Sequence, residues 1–332
     1  MTYRLAAALA VILTGSIVAT AAADDPVLIV REVYLMGTRA SLSTIAPNRG
    51  DGLGTLESAV RALEASEHQL STWIEDSPIS RLNRQPLGTP WSADAALCQM
   101  FDAVYAWHRA TGGAFDPGVG RLVAAWDIHG DGRVPGTAEL EAALDVSGLG
   151  NLEFDRSRCT LTRRAGLLLD VGAFGKGEAL DRAAEGLGST PWMIDLGGQV
   201  SVGGLRARDI PWTVAVAHPI DRQHPYLTVT MREGSLSTTA GSERDLIVNG
   251  TRVGHVLDPR TGRPAPFHGS VTVWHESGLA ADALSTALYV MGPDAGLAWA
   301  EGRGLSVCYL IPDERGSVRM RTTTAFQRLL GP

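Results

Sequence analysis

Short β-rich runs separated by glycines fill the second half of this chain and restrict the folds that are open to it. Helical patterns at residues 176–187 and 280–291 lie among these runs without a regular β-α-β alternation. Such mixing is typical of an α+β fold and does not fit a doubly wound parallel sheet. The candidate strands are residues 167–170, 192–196, 212–216, 227–231, 270–274 and 305–310.

The first half predicts two strands followed by two helices. Residues 27–34 and 38–45 are β-rich and partly alternating, which indicates paired strands. Residues 53–70 carry apolar side chains at helical spacing, and a second helix begins after Ser92 or Asp94. These apolar stripes predict core packing. No linker rich in Gly, Pro or Ser divides the chain, so we expect one domain over residues 24–332 with a possible subdomain boundary near residue 150.

The N-terminus has the pattern of a secretory signal. Arg4 precedes an apolar run at residues 5–18, and small residues follow at 19–23 before Asp24. The apolar run is shorter than the roughly 20 residues that a membrane-spanning helix needs. We therefore expect residues 1–23 to be a cleaved signal peptide and the mature chain to be an exported, soluble, periplasmic protein.

The net charge and the cysteine content exclude some classes of partner and covalent modification. Without Arg4 the chain carries 28 basic against 36 acidic residues, a net charge of −8, which argues against nucleic acid as a partner. No cysteine lies near the signal cleavage region, so no lipid anchor is expected. Three cysteines cannot all pair, and Cys98 and Cys308 lie in apolar stretches, so the sequence does not predict a structural disulfide.

Residues 281–286, with the sequence ADALST, begin a helix that presents oxygen ligands. Asp282 and Thr286 are four residues apart and therefore share a face, with Ser285 beside them. A carboxylate with hydroxyls suits a hard cation such as Mg2+, which takes its remaining ligands from water and phosphate. The alternative is an ordinary helix start with Asp282 as the cap.

Residues 170–177, DVGAFGKG, form a glycine-rich turn between a predicted strand and a predicted helix. The backbone of such a turn can approach a phosphate, although its spacing is neither a Rossmann nor a Walker pattern. Lys176 is the one lysine beside 28 arginines. A compact ammonium at this position indicates a site that requires the smaller cation, and the alternative is a surface lysine.

A charged turn follows at residues 255–264, HVLDPRTGRP. His255 is a candidate general acid or base near neutral pH, and the alternative is a structural histidine beside a strand. The two arginines are candidate phosphate ligands. Trp73 after Ser71 and Thr72 offers an indole for stacking, and residues 113–117, GAFDP, form a second aromatic turn. Either aromatic segment is equally consistent with a packed corner.

Together these segments resemble the ApbE family of FAD:protein FMN transferases, in matching order from about residue 33 to residue 310. The matching stretches are residues 36–38, 71–73, 79–83, 114–117, 170–177, 195–198, 239–241, 255–264 and 281–286.

The resemblance implies an enzyme that uses Mg2+ to cleave FAD and joins FMN by a phosphoester bond to a Thr or Ser hydroxyl of an acceptor protein, releasing AMP. It implies that His255 and Asp282 are catalytic, with His255 near the reacting pyrophosphate. Mg2+ would be held by Ala173, through its carbonyl oxygen, and by Asp282, Ser285 and Thr286. The implied FAD-binding residues are Met36, Trp73, Ala114, Phe115, Asp116, Asp170, Lys176, His255 and Val256.

The implied acceptor is a subunit of an exported or membrane redox complex. The same motifs would serve an FAD pyrophosphatase, in which water replaces the acceptor hydroxyl and FMN and AMP are released. Two alternatives without catalysis are an FAD-binding carrier and an adaptor domain of a redox or export complex. The metal-binding face of Asp282 and Thr286 argues against the carrier.

Overall fold

The computed structural model describes residues 26–206, 210–241, 245–248, 250–266 and 269–330. The predicted signal peptide at residues 1–23 and the expected mature start at Asp24 lie outside the described residues. No helix within these ranges is both long enough and apolar enough to cross a membrane.

The structure is a mixture of helices and largely antiparallel strands, which confirms the α+β prediction. The strands are β1 (Val27–Leu35), β2 (Thr38–Ala46), β3 (Trp91–Ser92), β4 (Leu152–Asp155), β5 (Thr160–Arg163), β6 (Trp192–Leu196), β7 (Gln199–Gly203), β8 (Trp212–Ala217), β9 (Pro225–Met231), β10 (Gly234–Ala240), β11 (Leu246–Val248), β12 (Thr251–Val253), β13 (Leu257–Asp258), β14 (Arg263–Pro264), β15 (Ser270–His275), β16 (Ser306–Pro312) and β17 (Val318–Thr322). The helices are α1 (Arg49–Leu70), α2 (Pro78–Arg84), α3 (Ala95–Ala110), α4 (Gly120–Trp126), α5 (Thr137–Val146), α6 (Gly175–Glu185), α7 (Gly278–Met291), α8 (Pro293–Glu301) and α9 (Thr324–Gln327), with a 3-10 turn at Leu149–Asn151.

An eight-stranded antiparallel sheet forms the frame, in the order β1-β2-β6-β7-β10-β15-β16-β17. Helices α1, α6 and α7 pack on one face of this sheet. The hairpin of β8 and β9 covers the other face, where Val214 and Val229 pack against Leu236 of β10. Because side chains alternate along a strand, β10 sends Leu236 to the hairpin and Ser237 to α7.

A second layer of small elements lies beside the sheet. Helices α2 and α3 pack with the three-stranded sheet β3-β5-β4 in the same apolar cluster as α7. This cluster contains Phe101, Leu161 and Leu284, so one core joins side chains from both sides of residue 150. The subdomain boundary near that residue stays a prediction.

Helix starts follow the capping rules that the sequence suggested. The side chain of Asp94 accepts a hydrogen bond from Leu97 N at 2.8 Å, which confirms one of the two predicted caps of α3. In α7 the cap is Ser277, whose Oγ accepts from Ala280 N at 3.2 Å. Asp282 lies inside this helix, so its interpretation as a helix cap is wrong.

The predicted strand at residues 167–170 is wrong. The segment buries Leu167 and Leu169 on either side of the half-buried Leu168, and this alternation gave it a strand-like pattern. Its backbone pairs with a side chain and a loop instead of a strand: Leu169 N donates to Asn83 Oδ1 at 2.7 Å, and Asp170 N donates to Pro117 O at 2.8 Å.

The expectation that no structural disulfide forms is also wrong, because Cys98 and Cys159 are bonded. Cys98 lies in the first turns of α3 and Cys159 in the turn between β4 and β5, where Ala93 N donates to Cys159 O at 2.8 Å. This contact brings two cysteines together that are 61 positions apart, an adjacency that no local pattern indicates. Cys308 is buried and free, as its apolar surroundings predicted.

Candidate active site

A cleft of about 430 Å³ opens where the end of β10, the helix α7 and five loops meet. The loops are those before and after α4, before α6, between β8 and β9, and around β13. The residues along its walls include Ala114, Asp116, Asp170, Ala173, Thr238, Thr239, Ala240, His255, Val256, Asp282 and Thr286. The cleft therefore brings together eight of the thirteen residues that the sequence singled out.

Asp282 is the most deeply buried charge of this cleft, at 4% exposure. Its carboxylate accepts from Gly177 N at 3.2 Å and lies 3.3 and 3.4 Å from Lys176 Nζ. Ser237 Oγ donates to the same carboxylate at 3.4 Å. A buried carboxylate is tolerated when hydrogen bonds and an opposite charge compensate it, and here α6 and β10 supply both.

The position of Asp282 depends on close contact between α6 and α7. A Cβ on Gly177 would lie 2.1 Å from Gly278 O, so only glycine fits there. Asp181 of α6 then caps α7: it accepts from Ser277 Oγ at 2.7 Å, from Gly278 N at 2.5 Å and from Leu279 N at 3.0 Å. A carboxylate at a helix N-terminus stabilises the helix through hydrogen bonds and the helix dipole.

The four proposed metal ligands do not share one surface. Ala173, Asp282 and Thr286 line the cleft, whereas the hydroxyl of Ser285 is buried against β10. Its Oγ lies 2.8 Å from Thr239 Oγ1 and donates to Asp282 O at 3.0 Å. Among the described residues no group of three or more His, Cys, Asp or Glu side chains is arranged as a metal site. Asp282 instead offers its carboxylate on the same cleft as the Thr286 hydroxyl and the Ala173 backbone, a donor set that fits Mg2+.

His255 is held by a carboxylate that the sequence analysis missed. Its Nδ1 lies 2.9 Å from Asp245 Oδ1, and its backbone N donates to the same oxygen at 3.1 Å. With the Nδ1 proton directed to Asp245, Nε2 is the basic nitrogen of the ring. Asp245 follows no motif, and only its place ten residues before His255 could have suggested a pairing.

The arginines of the same turn lie away from the cleft walls. Arg260 is engaged with Asp258, with Nε to Oδ1 at 2.8 Å, and this hydrogen bond raises the pKa of the guanidinium. Arg263 is exposed on β14. The structure brings neither arginine to the cleft as a phosphate ligand.

A second aromatic and acidic corner lies at the rim. Asp170 Oδ1 accepts from Gly172 N at 2.8 Å, and Asp170 Oδ2 is 3.2 Å from His129 Nε2. The ring of Trp73, 76% exposed, meets His129 edge to face at 5.4 Å between centroids. Trp73 lines a groove that shares His129 and Asp170 with the cleft. His129 was missed because a single histidine in a loop carries no spacing signal.

Of the remaining residues that the sequence singled out, Asp116 lines the cleft and Phe115 lies behind its wall. Asp116 lines the cleft and accepts from Gly118 N at 2.7 Å and Leu149 N at 3.0 Å, and burial raises the pKa of its carboxyl despite the nearby His108. Phe115 is fully buried against Phe174 behind the wall.

Met36 also lies outside the cleft walls. Its backbone N donates to Glu67 Oε1 at 2.8 Å, and its φ of 52° is in the left-handed region. A Cβ on Gly175 would lie 3.9 Å from Met36 Cε, which places the methionine beside the start of α6.

The chain is similar in sequence to a known family and to several known proteins. The family model described as the ApbE family matches residues 36–309. The FAD:protein FMN transferase of Salmonella typhimurium is 31% identical over 305 residues, which cover 88% of this chain and 87% of that protein. The FAD:protein FMN transferase of Escherichia coli strain K12 is 30% identical over 314 residues, with 91% and 89% covered.

Solved structures agree with the fold. The ApbE protein of Thermotoga maritima superposes with a TM-score of 0.85 at 27% identity, covering 92% of this chain and all of that one (100%). The flavin transferase ApbE of Vibrio cholerae gives a TM-score of 0.81 at 27% identity, with coverage of 92% and 100%.

Proposed function

The chain belongs to the ApbE family, and we propose that its cleft binds FAD and Mg2+ and transfers FMN to a hydroxyl of a protein. It is an FAD:protein FMN transferase, an enzyme that moves FMN from FAD to an acceptor protein. The observation that carries the assignment of the site is the meeting of Asp282, Thr286 and Ala173 on the cleft walls, with Lys176 beside Asp282.

Three of the four proposed ligands fit the ion directly. Asp282, Thr286 and the carbonyl oxygen of Ala173 would hold Mg2+, while Ser285 supports them through its bonds to Thr239 and Asp282 O. Bound Mg2+ would offset the negative charge of the pyrophosphate. Lys176 adds a fixed positive charge to the same region.

The reaction makes one phosphoester bond and breaks one anhydride bond. The oxygen of a Thr or Ser hydroxyl attacks the FMN-side phosphorus, AMP leaves with the bridging oxygen, and the hydroxyl proton passes to a base. His255 is the candidate for this base, because Asp245 engages its Nδ1 and leaves Nε2 as the basic nitrogen. Phosphoryl transfer depends mainly on the positions of the reacting groups. The contacts that hold Asp282 in place should therefore increase the rate of transfer.

The rest of FAD is assigned to the remaining walls. Ala114, Asp116, Asp170 and Val256 line the cleft, and Trp73 offers an exposed indole face in the adjoining groove for a flat ring. Met36 and Phe115 do not line the cleft. Met36 packs beside the start of α6, and Phe115 packs against Phe174 behind the cleft wall.

We also propose that the mature protein works outside the cytoplasm, as a soluble periplasmic enzyme. The signal-like pattern of residues 1–23 supports this, and so does the Cys98–Cys159 disulfide, because such bonds persist in oxidising compartments. The acceptor would then be a flavin-carrying subunit of an exported or membrane redox complex.

Mass spectrometry of a flavin-carrying redox subunit, incubated with FAD, Mg2+ and this protein, tests the proposal. A covalent FMN increment on one Thr or Ser, lost when Mg2+ is chelated, is the expected result. Release of FMN and AMP without a labelled acceptor would identify a pyrophosphatase instead. Unchanged FAD would leave only a binding protein.

A further inference from the structure

One edge of β10 is open where this strand reaches the cleft. On one side β10 pairs with β15 from Ser235 to Ala240. On the other side it pairs with β7 only at residues 234–236, because β7 begins directly after the turn at Gly197 and Gly198, with φ of 59° and 87°. No described strand pairs with residues 238–240 on that side. An unpaired strand edge is a template for an additional strand.

The two faces of this edge lead to two different cavities. Thr239 faces α7, where its Oγ1 lies 2.8 Å from Ser285 Oγ, next to Asp282. Thr238 and Ala240 face the β8–β9 hairpin, where they line a second cavity of about 110 Å³. Arg222, Thr238 and Ala240 also line the cleft, so the two cavities adjoin.

The second cavity is apolar with a few polar groups. Val200, Val214, Val216 and Leu236 form its apolar walls. Ser270, opposite Ala240 on β15, is 2% exposed, and its Oγ has no hydrogen-bond partner in the described structure. A buried hydroxyl without a partner costs free energy, so such a group in a cavity wall points to a ligand that completes it.

The carboxyl of Asp195 is another polar group of this cavity, which the side chains of His218 and Arg222 also line. Its Oδ1 accepts from Gly198 N at 2.8 Å, at the turn that ends the β7 pairing. Both Asp195 and Ser270 can accept a hydrogen bond, so the cavity suits a small side chain that donates one.

We propose that the acceptor polypeptide binds as a short extended segment along residues 238–240 of β10. Its target hydroxyl lies on the α7 face, toward Asp282, and the side chain of a directly adjacent residue enters the second cavity. This inference rests on the proposed transfer function and adds to it the mode of acceptor recognition. Successive side chains of an extended strand point to opposite faces, so one segment reaches both cavities.

Peptides with a single central threonine test this recognition. The two positions beside the threonine are varied among Ala, Asn, Asp and Trp, and FMN labelling with FAD and Mg2+ is read by mass. We expect Asn, a donor of the same size as Asp, to be preferred over Asp at one of these positions, and Trp to be rejected there. Asp195→Asn should reduce the preference of Asn over Asp.

A matched pair of serine variants separates the cavity from general effects on the sheet. Ser270→Val replaces the unpartnered hydroxyl with a larger apolar side chain that narrows the cavity, and should raise the KM for the best peptide about tenfold. Ser201→Val makes the same change at an equally buried serine, 4% exposed and also without a partner for its Oγ, that lines neither cavity. Its KM for the peptide should match that of the unaltered protein.

Three results would overturn the inference. The first is the same peptide KM in both serine variants. The second is a loss of FAD affinity in Ser270→Val at unchanged peptide KM, which would assign the cavity to FAD. The third is labelling of the folded redox subunit without labelling of any peptide. Failure of the transfer function itself looks different, because the folded subunit would then stay unlabelled as well.

Discussion

Lys176 Nζ lies 3.3 Å from Asp282 Oδ2, so the only lysine of the chain contacts the buried carboxylate of the cleft. The two residues are 106 positions apart and belong to different helices. Three neighbours hold the carboxylate, but the ammonium is the one that brings a full positive charge.

We expect Lys176→Arg to weaken FAD use about tenfold, although the charge is kept. The wider planar guanidinium cannot take the place of a compact ammonium beside Asp282 and a phosphate. FAD affinity, turnover and thermal midpoint are compared with those of Lys176→Ala. Similar losses in both variants at unchanged thermal stability support a specific contact. Normal kinetics in the arginine variant would show that FAD use does not require a lysine at position 176.

Asp282→Asn should lower Mg2+-dependent transfer on the order of 100-fold, because it removes the charged ligand at equal size. Turnover against Mg2+ concentration is the measurement, with circular dichroism to check the fold. Glu178→Gln is the matched control, since it removes a buried carboxylate of the neighbouring α6 that lies outside the cleft walls. Full activity in Asp282→Asn would show that the metal assignment is wrong.

Asp181→Ala should destabilise the protein by about 1 to 3 kcal/mol, because three donors at the start of α7 lose their acceptor. Urea unfolding measures the change. We also expect reduced turnover, since α7 carries Asp282 and Thr286. A loss of stability without any loss of turnover would mean that the cap does not position the site.

The cysteines should react in a fixed order. Burial raises the pKa of the Cys308 thiol to about 12, so the native protein should resist alkylation. Without reductant, denaturation should expose one reactive thiol, and reduction should release all three. Mass spectrometry after alkylation counts them. Three reactive thiols in unreduced, denatured protein would exclude the Cys98–Cys159 bond.

Glu178 should make stability depend on pH. Burial raises the pKa of its carboxyl, more than the hydrogen bond from Arg182 lowers it. The folded state keeps this proton to higher pH than the unfolded state, so the contribution of Glu178 to stability is present at low pH and is lost as pH rises through the folded pKa. Glu178→Gln should therefore gain in Tm relative to the unaltered protein as the pH rises above about 4, near the usual pKa of an unfolded Glu. A constant difference in Tm over this range would contradict the shift.

The sequence predicted those helices and strands whose conformation follows from the pattern of their own residues. Periodicity and caps predicted α1, α3, α6 and α7 to within a few residues, and alternation predicted β1 and β2. Residues 167–170 failed because an apolar alternation cannot reveal whether the backbone pairs with a strand or, as here, with Asn83 and Pro117.

The site was predictable where the chemistry lies in one segment. Asp282 with Thr286 and the turn around His255 were found in this way, and they line the same cleft. Partners that arrive through folding were missed: Asp245 for His255, and His129 for Asp170. Each is a single polar residue in a loop, and only three-dimensional contact gives it a role.

The contact of Gly177 with Gly278 has a consequence for the order of folding. The two glycines are 101 positions apart (278 − 177), and their backbones must meet before Lys176 and Asp282 can face each other. Contacts between distant segments form late, because the closure of a long loop must come first. A nascent chain completes α6 well before α7, and until both are present the catalytic cleft does not exist. Chains that end before α7 are therefore expected to leave FAD uncleaved. Activity should begin only once α7 has been synthesised and has packed against α6.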